Sequence, residues 1–225
     1  MKSPVMPEKK KFFVDLEFEQ LIDKAALVED SLREETDRGC ALVAGAALDE
    51  VLGGLLAAYF VKDEEICNAL LHNPNAPLST FSARMRLSRA LGLISQDLYH
   101  DIDTVRYVRN QAAHFDRRRK HGHDFSFKRQ DIADKCRGIQ SFPADLVARF
   151  HPRKVFEVFV GMSAACLAEH AICWKVTADN VGEEFARKGM LELVPKMNLR
   201  GHIRKALKKE SVPRRRERRR AKHVA

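Results

Sequence analysis

Apolar residues recur at helical spacing through most of this sequence. The clearest case lies in residues 40–61, where apolar side chains repeat every three or four positions, at Leu42, Val43, Ala46, Ala47, Val51, Leu55 and Tyr59. Such spacing places one side of an α-helix against the protein interior. Three glycines in this segment, Gly45, Gly53 and Gly54, each cost a helix up to ~1 kcal/mol relative to alanine. In a packed helix they instead permit close approach of a neighbour, so we predict a packed helix here.

Two further long helices are predicted. One begins after Ser95, which can cap it, and carries Asp97 in its first turn, where a negative charge suits the helix dipole. Its buried stripe is predicted to consist of Leu98, Ile102, Val105, Val108 and Ala112. The other covers residues 153–174 and is apolar on most sides, which is typical of a buried helix.

Shorter helices are predicted at about residues 12–35, 64–71, 80–91 and 129–137. Ser79 or Thr80 can cap the third of these, and Gly92 should end it. The polar face of this helix, made of Arg84, Arg86 and Arg89, is predicted to be solvated. Residues 181–209 are expected to form at most short helices. The fold class that follows is all-α.

The sequence of 225 residues fits one domain with an extension. We predict a flexible N-terminus over residues 1–11, a helical domain over residues 12–176, and a weakly structured, basic extension over residues 177–225. The net charge of +9 belongs to this extension, because residues 196–225 hold thirteen Lys or Arg against two Glu. Such a segment binds the phosphates of RNA or DNA without reading their sequence; the alternative is a merely solubilising tail.

Membrane insertion is not expected, although residues 40–61 are long enough to span a bilayer. Asp49 and Glu50 lie at the middle of that run, where a charge costs about 2.5–3.5 kcal/mol. The first eight residues lack the apolar stretch of a signal peptide. The five cysteines are scattered without a CxxC pair, which predicts neither a disulfide framework nor a zinc site. We therefore expect a soluble, cytoplasmic protein that needs no cofactor.

The residues that carry candidate chemistry lie at the end of the helix that follows Ser95. Asn110 and His114 are four residues apart and share a helix face, to which Arg106 adds an earlier turn. Arg109 precedes His114 by five residues, which is ~7.5 Å of rise and ~140° of rotation on an ideal helix. A single copy therefore makes a poor paired site, whereas a two-fold dimer could place both arginines and both histidines around one cleft.

Such a cleft could cleave RNA without a metal ion. A histidine whose pKa is near neutrality can move protons at a ribose 2′-hydroxyl, and a guanidinium can stabilise charge on the phosphorus-centred transition state. Asn110 would hold the imidazole or the phosphate. The structural alternative is that His114 interacts with the last carbonyls of the helix and that Arg109 is solvated.

The motif Arg109-Asn110-Gln111-Ala112-Ala113-His114 resembles the R-x4-H signature of HEPN domains. A wider stretch, over roughly residues 35–120, resembles the mannitol operon repressor family, whose fold is HEPN-like. Its most specific part is Pro77-Leu-Ser-x-Phe-Ser-Ala-Arg84, followed by Leu91-Gly-Leu-Ile94. The resemblance implies an HEPN-like helical bundle, to which this chain adds a further C-terminal helix and its basic tail.

The resemblance implies two different functions. Many HEPN domains are dimeric, metal-independent endoribonucleases, and Arg109, Asn110 and His114 match their catalytic positions, with Asp49 as the candidate supporting acid. Mannitol repressors are described as transcriptional regulators, which makes a non-catalytic interaction module the alternative. A plain dimerisation module is a third possibility.

Expected partners are a second copy, an antitoxin or regulatory protein, and nucleic acid. The predicted contacts to nucleic acid are Arg106, the loop residues Arg117, Arg118, Arg119 and Lys120, and the tail residues Arg214, Arg215, Arg216, Arg218, Arg219 and Arg220.

Overall fold

The protein folds into a bundle of α-helices in a computed structural model that describes residues 18–60, 63–73, 75–114, 125–182 and 198–211. All regular elements within these ranges are α-helices, as the sequence predicts. They are α1 (Phe18–Arg33), α2 (Asp37–Tyr59), α3 (Glu64–Leu71), α4 (Phe81–Ala90), α5 (Gln96–Ala113), α6 (Gln130–Arg137), α7 (Ala144–Val147), α8 (Pro152–Val181) and α9 (Leu199–Ser211).

The beginnings of several helices are fixed by side chains that accept a hydrogen bond from the first turn. Thr36, Asp63, Thr80 and Ser95 do so at the starts of α2, α3, α4 and α5. Each removes one unpaired backbone N–H, which is worth about 1 kcal/mol. Ser95 is the predicted cap of α5, and of the two candidates for α4 it is Thr80 that caps. The predicted stop at Gly92 has a left-handed backbone with φ of 74°.

Helix α8 lies at the centre of the bundle and packs against α1, α2, α6 and α9. This arrangement confirms the prediction that its apolar sequence is buried on most sides. The helix is longer than predicted at its C-terminal end, and its buried core residues include Val155, Phe156, Val158, Phe159, Val160, Met162, Cys166, Leu167 and Trp174. A helix enclosed on several sides needs no polar face, and this explains why its sequence lacks one.

Helix α2 packs against α8, α5 and α4. Two of its glycines allow the close approach that the sequence predicts. A methyl group on Gly45 would meet the side chain of Arg109, and one on Gly53 would meet that of Arg84. The third glycine, Gly54, has nothing within 4 Å of its added methyl position and is exposed. The prediction therefore holds for Gly45 and Gly53 and is wrong for Gly54.

Arg153 at the start of α8 joins three parts of the chain. Its guanidinium donates to Asp37 Oδ1 at 2.9 Å and to Glu157 Oε1 at 2.7 Å. It also donates to backbone carbonyls at the end of α1, including that of Leu32 at 2.9 Å. Asp37 in turn accepts from the Ser126 hydroxyl at 2.8 Å. The turn between α1 and α2 is thereby held to α8 and to the segment before α6.

Helix α9 packs on α8 through one apolar side, on which Leu199, Ile203 and Leu207 are buried. Two of its arginines hold it to the segment between α6 and α8. Arg200 Nε donates to the Gln140 carbonyl at 3.1 Å, and Arg204 Nη1 donates to Asp145 Oδ2 at 3.0 Å.

Two helices, α2 and α8, are long and apolar enough to cross a membrane by length and composition alone. In α8, 78% of the apolar window is buried inside the bundle, as expected of a core helix. In α2 only 50% of the window is buried, although its mean hydropathy is 1.7. One side of this apolar helix, at Leu42, Val43, Ala46, Glu50 and Gly54, is therefore left exposed in the bundle.

Candidate functional site

The predicted motif occupies the last two turns of α5. Arg109 is exposed, and the aliphatic part of its side chain lies on Gly45 of α2. Its Nη1 donates to Asn110 Oδ1 at 3.1 Å. The structure therefore brings Arg109 and Asn110 together, with the guanidinium directed along the surface where α2 and α5 meet.

His114 is the residue at which α5 ends. Its backbone N–H donates to the Asn110 carbonyl at 3.1 Å, and its side chain is exposed. Arg38 of α2 donates to the carbonyl of Ala112 and so supplies a hydrogen-bond partner to one of the last carbonyls of α5. Arg38 was not predicted. Its position at the start of α2 becomes informative only once α2 and α5 are known to run antiparallel.

Asp49, the predicted supporting acid, is half-buried between two arginines. It accepts from Arg84 Nη1 at 3.1 Å and interacts electrostatically with Arg109. Burial raises the pKa of Asp49 above its usual value, while Arg84 and Arg109 act to lower it. Asp49 thus lies beside the motif, but its hydrogen bond goes to Arg84.

The prediction that Arg84 is solvated is wrong. Its side chain is only 13% exposed, and it donates to the carbonyls of Leu78, Leu71 and Asp49 as well as to the Asp49 carboxylate. Leu71 is the last residue of α3, and Leu78 lies in the loop before α4, so the carbonyls of both need a hydrogen-bond donor. A buried guanidinium supplies several donors at once. Helical spacing alone could not show that α2 and α3 approach this side of α4.

Of the other predicted contacts to nucleic acid, Arg106 alone lies within the residues that the structure describes. Arg106 is half-buried and pairs with Asp103 on its own helix at 2.8 Å. Arg117, Arg118, Arg119 and Lys120 lie outside the described residues, as do Arg214, Arg215, Arg216, Arg218, Arg219 and Arg220.

The uncovered side of α2 forms an apolar surface beside the motif. Leu42 and Val43 are 37% and 38% exposed, and Ala46 is exposed as well. We call this surface the outer face of α2; it consists of Leu42, Val43, Ala46, Glu50 and Gly54. Arg109 borders it, because Gly45 directly precedes Ala46. The predicted helix is present, but the prediction that Leu42, Val43 and Ala46 face the interior is wrong. The neighbouring helices α8, α5 and α4 cover the other side of α2, where Ala44, Leu48 and Leu52 are buried.

The cysteines contribute packing. Cys40, Cys136 and Cys166 are buried, and burial raises the pKa of each thiol to about 12. These thiols are therefore protonated at neutral pH and are poor nucleophiles. Within the described ranges, no group of three or more His, Cys, Asp or Glu side chains is arranged to hold a metal ion.

Known proteins share the fold of this chain, and a family model matches more than half of its sequence. A solved structure with the same helical fold is the MtlR–HPr complex from Escherichia coli, at 19% identity and a TM-score of 0.51. The match covers 65% of this chain and 98% of that one. The model of the Mannitol repressor family matches residues 24–157, and this chain belongs to that family. A search of curated proteins gave no match.

Family membership favours the regulator over the nuclease among the predicted functions. The matched region contains α2, α5 and the start of α8, and it therefore includes both the motif and the outer face of α2. Most of α8, all of α9 and the basic residues that follow lie beyond it.

Proposed function

We propose that this chain is a non-catalytic regulator that acts by binding a protein partner on the outer face of α2. The observation that carries the proposal is the incomplete burial of α2, an apolar helix on which Leu42, Val43 and Ala46 are exposed to solvent. Exposed leucine and valine side chains beside one another commonly mark a contact surface. The related protein from Escherichia coli forms a complex with HPr, and we propose a partner of that kind here.

The charged residues around this surface indicate which charged groups we expect on the contact surface of the partner. Glu50 lies on the face itself, and Arg109 borders it from α5. Complementary charges at the rim of an apolar contact speed association and select the partner, while the apolar centre supplies most of the affinity. We therefore expect a partner with an apolar patch flanked by an acidic group that faces Arg109.

The test is a binding titration between the full chain and purified HPr from the same organism, followed by calorimetry. Leu42→Glu and Val43→Glu each place a charge inside the proposed contact and should weaken binding at least tenfold. Leu27→Glu is the matched control, because Leu27 is 72% exposed on α1 and lies outside the outer face of α2. Equal affinities for all four proteins would contradict the proposed surface.

Endoribonuclease activity is the second candidate function. It is favoured by one observation, the Arg109–Asn110 hydrogen bond next to an exposed His114, because this leaves a guanidinium and an imidazole open to a phosphodiester. The side chains of Arg109 and His114 leave the helix ~140° apart, so this activity depends on the predicted homodimer. The variants that test it are described in the Discussion.

A further inference from the structure

A pocket of about 340 Å³ lies where the end of α2 meets the start of α3 and the C-terminal half of α8. Its apolar lining includes Tyr59, Phe60 and Trp174, together with alanines of α2 and α8. The rings of Tyr59 and Trp174 lie beside one another, with their centroids 5.2 Å apart. A pocket of this volume with an apolar, aromatic lining is typical of a site for a small organic molecule.

The pocket is separate from the outer face of α2. Ala57, which lines the pocket, follows Val43 by fourteen residues, which is ~21 Å of rise along the helix. The wall that α8 supplies, with Trp174 and Ala178, lies beyond residue 157, where the match to the Mannitol repressor family ends. Neither the proposed protein contact nor the family match therefore accounts for this pocket.

The charged groups that line the pocket favour a cation. They are three carboxylates, those of Asp63, Glu64 and Asp179, and one ammonium, that of Lys175, which leaves a net charge of −2. Asp63 is held in place at the start of α3, where its Oδ1 accepts from the Ile66 N–H at 3.0 Å. Glu64 follows in the first turn of α3 and is exposed. Charge of one sign around a cleft attracts ligands of the opposite sign.

The end of α2 adds to the negative potential of the pocket. Its last residues, Ala57, Ala58 and Tyr59, line the pocket, and its last turn has no basic residue. The C-terminal end of a helix carries partial negative charge, which favours a cation nearby. An aromatic ring such as that of Trp174 attracts a cation as well, through the negative potential of its face.

We propose that this pocket binds a small organic cation, a molecule with an aromatic or aliphatic body and an ammonium group. The body lies against Trp174 and the alanines, and the ammonium group faces Asp63 and Glu64. Such a ligand matches both the apolar lining and the acidic groups. A neutral apolar molecule matches only the lining, and an anion is repelled by the carboxylates.

The experiment uses the fluorescence of Trp174, which is the single tryptophan of the sequence and therefore reports on this pocket in the full chain. The probe is benzyltrimethylammonium, titrated at constant ionic strength. Benzyl alcohol and benzenesulfonate, which carry the same ring with no charge or with a negative charge, are titrated for comparison. We expect a saturable change in fluorescence with the cation and about tenfold or weaker binding of the other two compounds.

Two pairs of variants assign the binding to the pocket. Glu64→Gln should weaken the binding of benzyltrimethylammonium about two- to fivefold, as expected for one exposed charge. Glu65→Gln is the matched control, because Glu65 is the next residue of α3, is exposed and does not line the pocket. Ala57→Leu fills the pocket and should abolish saturable binding, whereas Ala69→Leu, at an exposed position of α3 outside the pocket, should not. Since Glu64 is exposed, its variant tests the site even if Ala57→Leu fails to fold.

Three results would overturn the proposal. They are the absence of a saturable change with benzyltrimethylammonium, equally tight binding of benzyl alcohol or benzenesulfonate, and an equal loss of affinity in Glu64→Gln and Glu65→Gln.

Discussion

Arg109 lies directly on Gly45, and the two residues set the distance between α5 and α2. A methyl group built on Gly45 would be 2.6 Å from Arg109 Cγ and 3.0 Å from Arg109 Cβ. These atoms belong to the root of the side chain and cannot move away without moving the helix. The orientation of the motif arginine therefore depends on the absence of a side chain on α2.

Gly45→Ala should consequently destabilise the protein, even though alanine favours helices. Overpacking costs about 1–3 kcal/mol, and the gain in helix propensity offsets about 1 kcal/mol of that. We expect a net loss of up to about 2 kcal/mol in the free energy of unfolding, measured by urea titration. Gly54→Ala, on the same helix with open space around it, should instead stabilise by up to ~1 kcal/mol. Stabilisation by both substitutions would show that the contact with Arg109 is not tight.

Arg84 and Arg86 belong to the same helix and should respond very differently to replacement by methionine. Arg84→Met removes a buried donor and leaves the carbonyls of Leu71 and Leu78 without it. We expect a loss of about 2–4 kcal/mol, because each unsatisfied buried acceptor costs about 1–3 kcal/mol. Arg86 is exposed, and Arg86→Met should change stability by less than ~0.5 kcal/mol. Similar melting temperatures for the two variants would contradict the burial of Arg84.

The pairing of Asp37 with Arg153 should make stability depend on pH. Burial acts to raise the pKa of Asp37, but hydrogen bonds from Ser126, Arg153 and Phe127 outweigh it and leave the pKa below its usual value. Folding therefore favours the ionised carboxylate. The resulting stabilisation is complete above the unfolded pKa of about 3.9 and is lost as the pH falls through the lower, folded value.

Asp37→Asn tests this dependence. The variant should be less stable than the wild type by about 2–3 kcal/mol at pH 7, and the difference should shrink below about pH 4. Urea unfolding at several pH values gives the two curves. Asp23→Asn, which changes an exposed carboxylate of α1, is the control and should stay parallel to the wild type. A difference that grows as the pH falls would contradict the proposed pairing.

Much of the fold follows from apolar spacing and caps. The stripe of α5, its Ser95 cap and the bounds of α3 agree with the structure, because each is determined within a few residues of sequence. The burial of Arg84 and the contact of Arg38 with Ala112 could not be predicted, since each depends on which helices become neighbours. Helix α7, four residues long, is too short to produce a periodic pattern.

The candidate site was predictable only in part for the same reason. The motif identified Arg109, Asn110 and His114, and the structure places all three at one end of α5. The exposed side of α2 could not be predicted, because Leu42, Val43 and Ala46 have the spacing of a buried stripe and the helix is apolar on more than one side. It became visible only when the packing partners of that helix were known.

The endoribonuclease hypothesis has a direct test in this helix. Wild-type protein and the variants His114→Ala and Arg109→Ala are incubated with single-stranded RNA in EDTA. If the hypothesis holds, each variant loses 10²-fold or more of the cleavage rate, as expected for removal of a general acid–base group or of transition-state charge stabilisation. His100→Ala is the matched control, because His100 is an exposed histidine of the same helix whose ring contacts Gln96.

The cleavage rates of the wild type and of these three variants distinguish the two candidate functions. Cleavage that persists equally in all four proteins comes from a contaminant and removes the nuclease assignment. No cleavage in the wild type, together with HPr binding that depends on Leu42 and Val43, leaves the regulator as the function. His114 lies at the end of α5, and its hydrogen bond to the Asn110 carbonyl is made by its backbone N–H, which alanine retains. His114→Ala should therefore leave the fold intact. A loss of activity in this variant can then be attributed to the imidazole.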